Sequence, residues 1–289
     1  MNEHQPVEFE LIPHSQPVKQ GDVLAPISGS HTYSVLIVVT ADCDLTNNKF
    51  GGRLTALPVV SLESYVRDFW LAREVRLLRG QLGDSIREEM QRIVESSPSG
   101  FPVPSQDRLE SWPMETSPAE LASMLGIPQS DLDLIETLVS AAASLDSLAD
   151  SASISKWWSA CCVAMHVSGV KSVEKANSSL RKRLASELPR QLPGDVLYLN
   201  RPMPTSETGF VALARFPVEV QPELIATNGP DELYGSPAFR RVSRLESPYR
   251  YRLTQLFGDI YSSIGLPTEY ERERNRTFVE LAERINCEG

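Results

Sequence analysis

The sequence predicts an α+β fold in which short β-strands at both ends of the chain flank a long helical middle. Residues 21–62 and 193–220 are rich in β-branched side chains and are divided by glycines and polar turns, which is typical of short strands. From residue 63 onward apolar side chains recur every three or four residues, as they do on one face of a helix. The simplest architecture is a small antiparallel β-barrel that is split by a helical insertion.

The same patterns predict the individual elements and the domain boundaries. Residues 96–118 contain five prolines and are expected to form a loop, and residues 1–17 are expected to form a loose arm or an edge strand. The expected strands are 21–24, 33–40, 53–62, 193–199 and 209–220. The expected helices are 63–80, 84–96, 117–125, 129–149, 154–168, 171–187, 237–265 and 268–285. The expected domains are a barrel over 18–62 and 191–230, a helical insertion over 63–190, and a C-terminal helical segment packed on the barrel over 231–289.

Composition excludes several classes of function. The chain has 289 residues and a net charge of -10, which argues against a general nucleic-acid-binding surface. No apolar run approaches the roughly 20 residues that span a bilayer, and the first residues lack the pattern of a signal peptide. The four cysteines have no metal-binding spacing. We therefore expect a cytoplasmic protein with reduced thiols, no membrane contact, no metal and no cofactor.

The first candidate site consists of Asp42, Cys43 and Asp44, which directly follow the most hydrophobic predicted strand. If that strand continued, Asp42 and Asp44 would point to the same side. Carboxylates placed in this way can hold Mg²⁺, or one of them can orient Cys43 as a nucleophile. In the alternative interpretation the aspartates cap a turn and Cys43 packs inward as a small apolar side chain.

The spacing Asp42-x-Asp44-x-Thr46 also resembles the opening motif of the haloacid-dehalogenase-like phosphatases. This resemblance implies a metal-dependent phosphohydrolase that uses the two aspartates. It is limited to this short motif, and the chain has no matching downstream lysine and paired aspartates.

Three segments follow one another between residues 20 and 62: Gly-Asp-Val-Leu, Val-Leu-Ile-Val-Val-Thr-Ala-Asp and Leu-Thr-Ala-Leu-Pro-Val-Val-Ser. Their order resembles the start of the PemK/MazF-like toxins. The resemblance implies an SH3-like barrel that cleaves single-stranded RNA, with Pro58 and Ser61 at the positions of that family's proline and catalytic hydroxyl. It also implies a bacterial origin and a role in toxin–antitoxin control or phage defence. The loop of residues 25–31, where the family has its essential arginine, holds none here.

The helical middle carries a long acidic stretch. Between Leu109 and Ser155 there are eight acidic residues and no Lys or Arg. Residues 117–132 have the spacing of a helix-turn-helix, but Asp131 and Asp133 would repel phosphates, so DNA binding is not expected. The stretch is interpreted either as an ordinary helical hairpin or as an acidic surface for a basic protein partner.

The segment 240–252 has the opposite charge, with five arginines and two tyrosines against one glutamate. Arginine and tyrosine are favoured anchors of protein interfaces, so docking onto the acidic helical insertion or onto a protein partner is the preferred interpretation. RNA binding by charge and stacking is the alternative. The candidate binding residues are Arg240, Arg241, Arg244, Tyr249, Arg250, Tyr251 and Arg252.

The opposed acidic and arginine-rich segments, together with incomplete catalytic motifs, favour a non-catalytic regulatory or adaptor protein that acts through protein contacts. Two enzyme hypotheses stand beside it. One is a PemK/MazF-like endoribonuclease, and the other is a metal-dependent phosphohydrolase that uses Asp42 and Asp44.

Overall fold

The computed structural model describes residues 8–13, 16–27, 35–149, 152–191, 195–204, 209–227 and 237–262, together with the pairs 268–269, 272–273 and 276–277. The chain divides into two compact units. We call residues 1–60 with 192–289 the sheet unit and residues 61–191 the helical unit. The predicted α+β class is confirmed, and the sheet is a curled antiparallel half-barrel.

The strands of the sheet unit follow the order β1-β9-β2-β3-β4-β6-β5, with β7 beside β4 and β8 beside β9. The pairs β1–β9, β2–β3, β2–β9, β3–β4, β4–β7 and β5–β6 are antiparallel, and β8 runs parallel to β9. The strands are β1 Phe9–Glu10, β2 Asp22–Pro26, β3 Val35–Val38, β4 Leu54–Ser61, β5 Val196–Leu199, β6 Phe210–Leu213, β7 Val218–Val220, β8 Ile225–Ala226 and β9 Phe239–Leu245. The described residues of this unit include the α-helices α1 Asp42–Thr46 and α9 Ser247–Ser262.

Both faces of the sheet are buried, which explains the unbroken apolar run in β3. Side chains alternate between the two faces of a strand. Val35 and Ile37 pack on one face with Leu253 of α9, whereas Leu36 and Val38 pack on the other. A strand that is buried on both sides has no polar alternation, so its sequence is continuously hydrophobic.

The helix predicted over 237–265 is wrong in its first third. Residues Phe239–Leu245 form β9, which pairs with β2, and the helix begins only at Ser247. Pro248 is a signal for this boundary, because proline is tolerated in the first turn of a helix and disrupts its interior. The C-terminal segment 231–289 therefore contributes a strand to the sheet as well as a helix.

The edge strand expected within residues 1–17 is confirmed, since Phe9 pairs with Leu245 and Glu10 with Arg244. The helix expected over 268–285 lies outside the described residues, apart from three helical pairs.

The helical unit has its longest helix in α3, where the sequence predicted a break near residue 82. The helix runs without interruption through Gly80 and Gly83. Gly83 permits close contact with a neighbouring helix, because an added Cβ would lie 2.7 Å from Oε1 of Glu110. The elements are α2 Leu62–Tyr65, a π-helical turn Val66–Leu71, α3 Ala72–Ser96, α4 Gln106–Glu115, α5 Pro118–Leu125, a 3-10 turn Gln129–Leu132, α6 Asp133–Asp146, α7 Ile154–Val167 and α8 Val173–Gln191.

The loop predicted over residues 96–118 contains a helix, α4. Ser105 caps it by accepting a hydrogen bond from the backbone N–H of Arg108. Leu109 and Trp112 are buried in the core of the helical unit, so packing stabilises the helix even though Pro113 lies inside it. Among the described residues no helix is long and apolar enough to cross a membrane.

Candidate functional site

Asp42, Cys43 and Asp44 lie in the short helix α1 and not on a strand. β3 ends at Val38, and α1 begins at Asp42. Residues two positions apart on a helix do not face each other. The strand therefore does not continue through the two aspartates, and they do not share one side of it.

The Asp42 carboxylate makes a structural hydrogen bond. Its Oδ1 accepts from the backbone N–H of Gln20 at 2.8 Å, and Gln20 Nε2 donates to the carbonyl oxygen of Val39 at 3.2 Å. Cys43 is exposed, and its Sγ lies 3.8 Å from Oδ1 of Asp44. In the part of the chain that the structure describes, no three His, Cys, Asp or Glu side chains are grouped as a metal site requires.

Ser61 is the N-cap of α2. Its Oγ accepts a hydrogen bond from the backbone N–H of Ser64 at 3.1 Å and donates to Ser64 Oγ at 2.9 Å. A nucleophilic serine is normally activated by a neighbouring base. The described hydrogen bonds of Ser61 instead satisfy the free N–H groups at the start of a helix.

Arg241 and Arg244 point into the sheet unit and do not form part of an exposed basic patch. Both are buried, and both contact the buried carboxylate of Asp22. Nε of Arg244 donates to Asp22 Oδ1 at 2.6 Å, and Nη1 of Arg241 lies 3.5 Å from Asp22 Oδ2. Arg241 also donates to the carbonyl oxygens of Gln16 and Pro17, at 2.8 and 3.1 Å, so it fixes the chain that leads into β2.

Burial raises the pKa of the Asp22 carboxyl above its ordinary value. The hydrogen bonds from Arg244 and from the backbone N–H of Lys19 lower that pKa and are the smaller influences. Removing a carboxylate from water is unfavourable, and the two guanidinium groups compensate for this effect. This cluster therefore joins β2 to β9 and stabilises the sheet.

The remaining members of the basic segment form a smaller surface. Arg240, Tyr251 and Arg252 are exposed, whereas Tyr249 packs against the core of the sheet unit. The guanidinium carbon of Arg250 lies 4.9 Å from the centre of the Tyr251 ring, and the aliphatic part of Arg250 lies over Gly21. An added Cβ at Gly21 would be 2.6 Å from Arg250 Cδ.

A groove of about 480 Å³ runs between α6 and α7 in the helical unit. On α6 the lining residues form a stripe about three turns long on one face of the helix. On α7 the groove is lined by two valines that are four residues apart, and we call these valines the wall of the groove. The lining residues are Asp133, Glu136, Thr137, Ser140, Ala141, Ser144, Val163 and Val167.

No described cation pairs with the acidic residues of this groove, whereas about half of the other described carboxylates in the helical unit contact an arginine. Arginines of α3 are paired with carboxylates nearby. For example, Arg79 contacts Glu110 at 3.1 Å and Asp146 at 3.0 Å. Asp133 and Glu136 are exposed, and the described part of the chain provides neither with an ion pair. The groove therefore carries uncompensated negative charge.

A second, smaller cavity of about 190 Å³ lies on the other side of α6. It shares Glu136 and Ser140 with the groove, and its remaining lining is largely apolar. These side chains are Pro113, Pro118, Leu121, Leu132, Ile135 and Val139. The first two turns of α6 therefore separate two depressions and present carboxylates to both.

The helical unit also buries a charged network around Glu74. Arg73 Nη2 lies 3.2 Å from Glu74 Oε1 and 2.6 Å from Glu187 Oε2, and Arg183 contacts the other oxygen of Glu74. Cys161 is buried nearby. Burial raises the pKa of the Cys161 thiol to about 12, with smaller contributions from Cys162 and Glu74. This thiol is therefore protonated and unreactive at neutral pH.

Sequence reasoning found the acidic stretch but missed the groove. The acidic composition of residues 109–155 is visible in the sequence, whereas the lining by Val163 and Val167 depends on how α6 and α7 pack. A usable signal was present, because both valines lie on one face of a predicted helix, four residues apart.

None of the comparisons with known proteins finds a match: no family model, curated protein or solved structure is significantly similar to this chain.

Proposed function

We propose that this protein is a non-catalytic adaptor or regulatory protein, and that the acidic face of its helical unit binds a basic protein partner. The observation that carries the proposal is the unpaired charge of Asp133 and Glu136 beside an open groove. Several other carboxylates in the helical unit are neutralised by arginines, such as Glu110 by Arg79 and Arg87. Complementary charge steers partners and selects among them.

In this proposal the sheet unit is a scaffold with an SH3-like barrel. The curled antiparallel sheet supports that part of the proposal. A scaffold role is also supported by the structural contacts of Asp42, Arg241 and Arg244. A role in bacterial phage defence or toxin–antitoxin control is part of the same proposal and rests on the resemblance of residues 20–62 to the PemK/MazF-like toxins.

The direct test is quantitative recovery of protein partners with the intact chain. Tagged wild type and the double variant Asp133→Lys/Glu136→Lys are each recovered from the native host, and co-purifying proteins are compared by mass spectrometry. We expect at least one basic protein to be recovered with wild type and to be depleted about tenfold or more with the charge-reversed variant.

A matched control separates the groove from total charge. Asp107→Lys/Glu88→Lys makes the same change in net charge, with Asp107 in the first turn of α4 as Asp133 is in the first turn of α6. Neither control residue lines the groove. Equal partner recovery for wild type and the Asp133/Glu136 variant would refute the proposed function.

A further inference from the structure

We propose that the groove between α6 and α7 binds one amphipathic α-helix of the partner, with basic residues at the Asp133/Glu136 end and small apolar residues along the valine wall. This inference rests on the proposed function and specifies its binding site. It follows from the length, floor, wall and charge of the groove.

The length of the groove suits a helical ligand. The lining residues of α6 extend from Asp133 to Ser144, a distance of about 16 Å along a helix axis at 1.5 Å per residue. A third helix of about three turns, laid along this hairpin, would contact both α6 and α7. Helix-in-groove recognition uses anchors that recur with this spacing.

The floor permits a close approach of a helix backbone. Its central residues are Ser140, Ala141 and Ser144, which are small. The Ser144 hydroxyl donates to the Ser140 carbonyl oxygen at 2.9 Å, and the Thr137 hydroxyl donates to the Asp133 carbonyl oxygen at 2.8 Å. Because these two hydroxyls already donate within α6, an apolar side chain can cover them without breaking those hydrogen bonds.

The wall of the groove is apolar and accessible. Val163 is 41% exposed, and Val167 is half-buried one turn further along α7. Both are β-branched, so little side-chain entropy is lost when a ligand packs against them. This wall favours an apolar face on the ligand, whereas a purely polar basic peptide would leave it in water.

Charge selects the class of ligand. Among the described residues no lysine or arginine lines the groove, and its two carboxylates lie at one end. A nucleic acid or an anionic membrane would be repelled by them. A helix with lysine or arginine at one end and alanine, valine or leucine along one face complements both the charged end and the wall.

The probe for the test is a synthetic amphipathic peptide of about four turns, with lysines clustered near one end and alanine and leucine along one face. Binding to the full-length chain is measured by fluorescence anisotropy at low and at high salt. We expect binding that weakens about tenfold or more in Asp133→Lys/Glu136→Lys, and about threefold or more in Val163→Gln/Val167→Gln. Circular dichroism of each variant verifies that it is folded.

Two controls define specificity. Asp107→Lys/Glu88→Lys is expected to bind the peptide within about twofold of wild type. A scrambled peptide of the same charge, which has no apolar face, is expected to bind at least about fivefold more weakly. Equal binding of the scrambled and amphipathic peptides, or binding that is unaffected by the valine substitutions, would overturn the inference.

The outcomes distinguish this inference from the proposed function. If the native partner is lost from the charge-reversed variant but retained by Val163→Gln/Val167→Gln and not displaced by the peptide, the acidic face binds a partner and the groove does not hold a helix. If the partner is retained by the charge-reversed variant, the proposed function itself fails. A dimer of the chain that is disrupted by the valine substitutions would show that the occupant is a second copy, which also contradicts the inference.

Discussion

Each of the two units holds a buried carboxylate between two arginines, but the two clusters differ in their access to water. In the sheet unit the side chains of Asp22, Arg241 and Arg244 are 0%, 3% and 5% exposed. In the helical unit Glu74 is 1% exposed, whereas Arg73 and Arg183 are 39% and 37% exposed. The first cluster is enclosed, and the second connects a buried acid to the surface.

This difference in exposure determines how strongly the loss of one charged side chain destabilises each cluster. An enclosed cluster requires all of its members, because removing one leaves another charge without a partner and away from water. In a cluster with exposed arginines, water can solvate the charge that remains after one partner is removed, so the loss is smaller.

The largest effect is expected for Arg244→Met, which leaves the buried Asp22 carboxylate with Arg241, 3.5 Å away, as its remaining arginine partner among the described residues. We expect the free energy of unfolding of the sheet unit to fall by about 3–5 kcal/mol. Urea denaturation followed by far-ultraviolet circular dichroism measures the change. The double variant Arg244→Met/Asp22→Asn removes the unpaired charge and should recover part of the loss, and a strictly additive result would contradict the enclosed-pair explanation.

A smaller effect is expected for Arg183→Met beside Glu74. Arg73 remains at hydrogen-bond distance, and the cluster is open to water, so we expect a loss of about 2 kcal/mol. All four tryptophans lie between residues 70 and 158, so tryptophan fluorescence during urea denaturation reports on the helical unit. A loss as large as that of Arg244→Met would remove the distinction between the two clusters.

The smallest effect concerns Cys161, whose pKa is raised to about 12 by burial near the Glu74 cluster. In the unfolded chain this thiol ionises near its ordinary pKa of 9.0, so between these values the unfolded state loses a proton that the folded state keeps. Stability should therefore fall as the pH rises through this window, by about 1.4 kcal/mol at pH 10.

The measurement compares the pH dependence of unfolding in wild type and Cys161→Ala between about pH 8 and pH 10. The variant should lack the additional alkaline loss, because it has no thiol to ionise. Cys43→Ala is the matched control, since Cys43 is exposed in the folded chain and should leave the slope unchanged. Parallel slopes for wild type and Cys161→Ala would show that burial does not protect this thiol.

Local signals account for the elements that were predicted correctly. α5 has Ser117 and Glu120 in a capping box, Pro118 at its start, and Gly126 with a φ of 66° after its end. These features act within a few residues, so the boundaries of this helix are visible in the sequence. The buried strand β3 was found for a similar reason, since its apolar run has no alternative to burial.

Contacts between distant residues account for the failures. β9 was predicted as helix because its composition does not show that residue 22 lies opposite it. Because of the same contact, Arg241 and Arg244 are core residues, whereas the sequence predicted them as anchors on the surface. For the aspartates of α1 the sequence left a continued strand and a turn both open, because the hydrogen bond from Gln20, 22 positions away, has no local signature.

The amino-acid sequence by itself determined the α+β class, the order of strands and helices in outline, and the acidic character of residues 109–155. These properties depend on composition and on short-range periodicity, which every stretch of chain carries within itself. Only the tertiary structure decided which arginines are buried, which backbone N–H group the Asp42 carboxylate binds, and that an open groove lies between α6 and α7. Such outcomes depend on which distant segments meet, because a side chain's role is set by the groups packed around it.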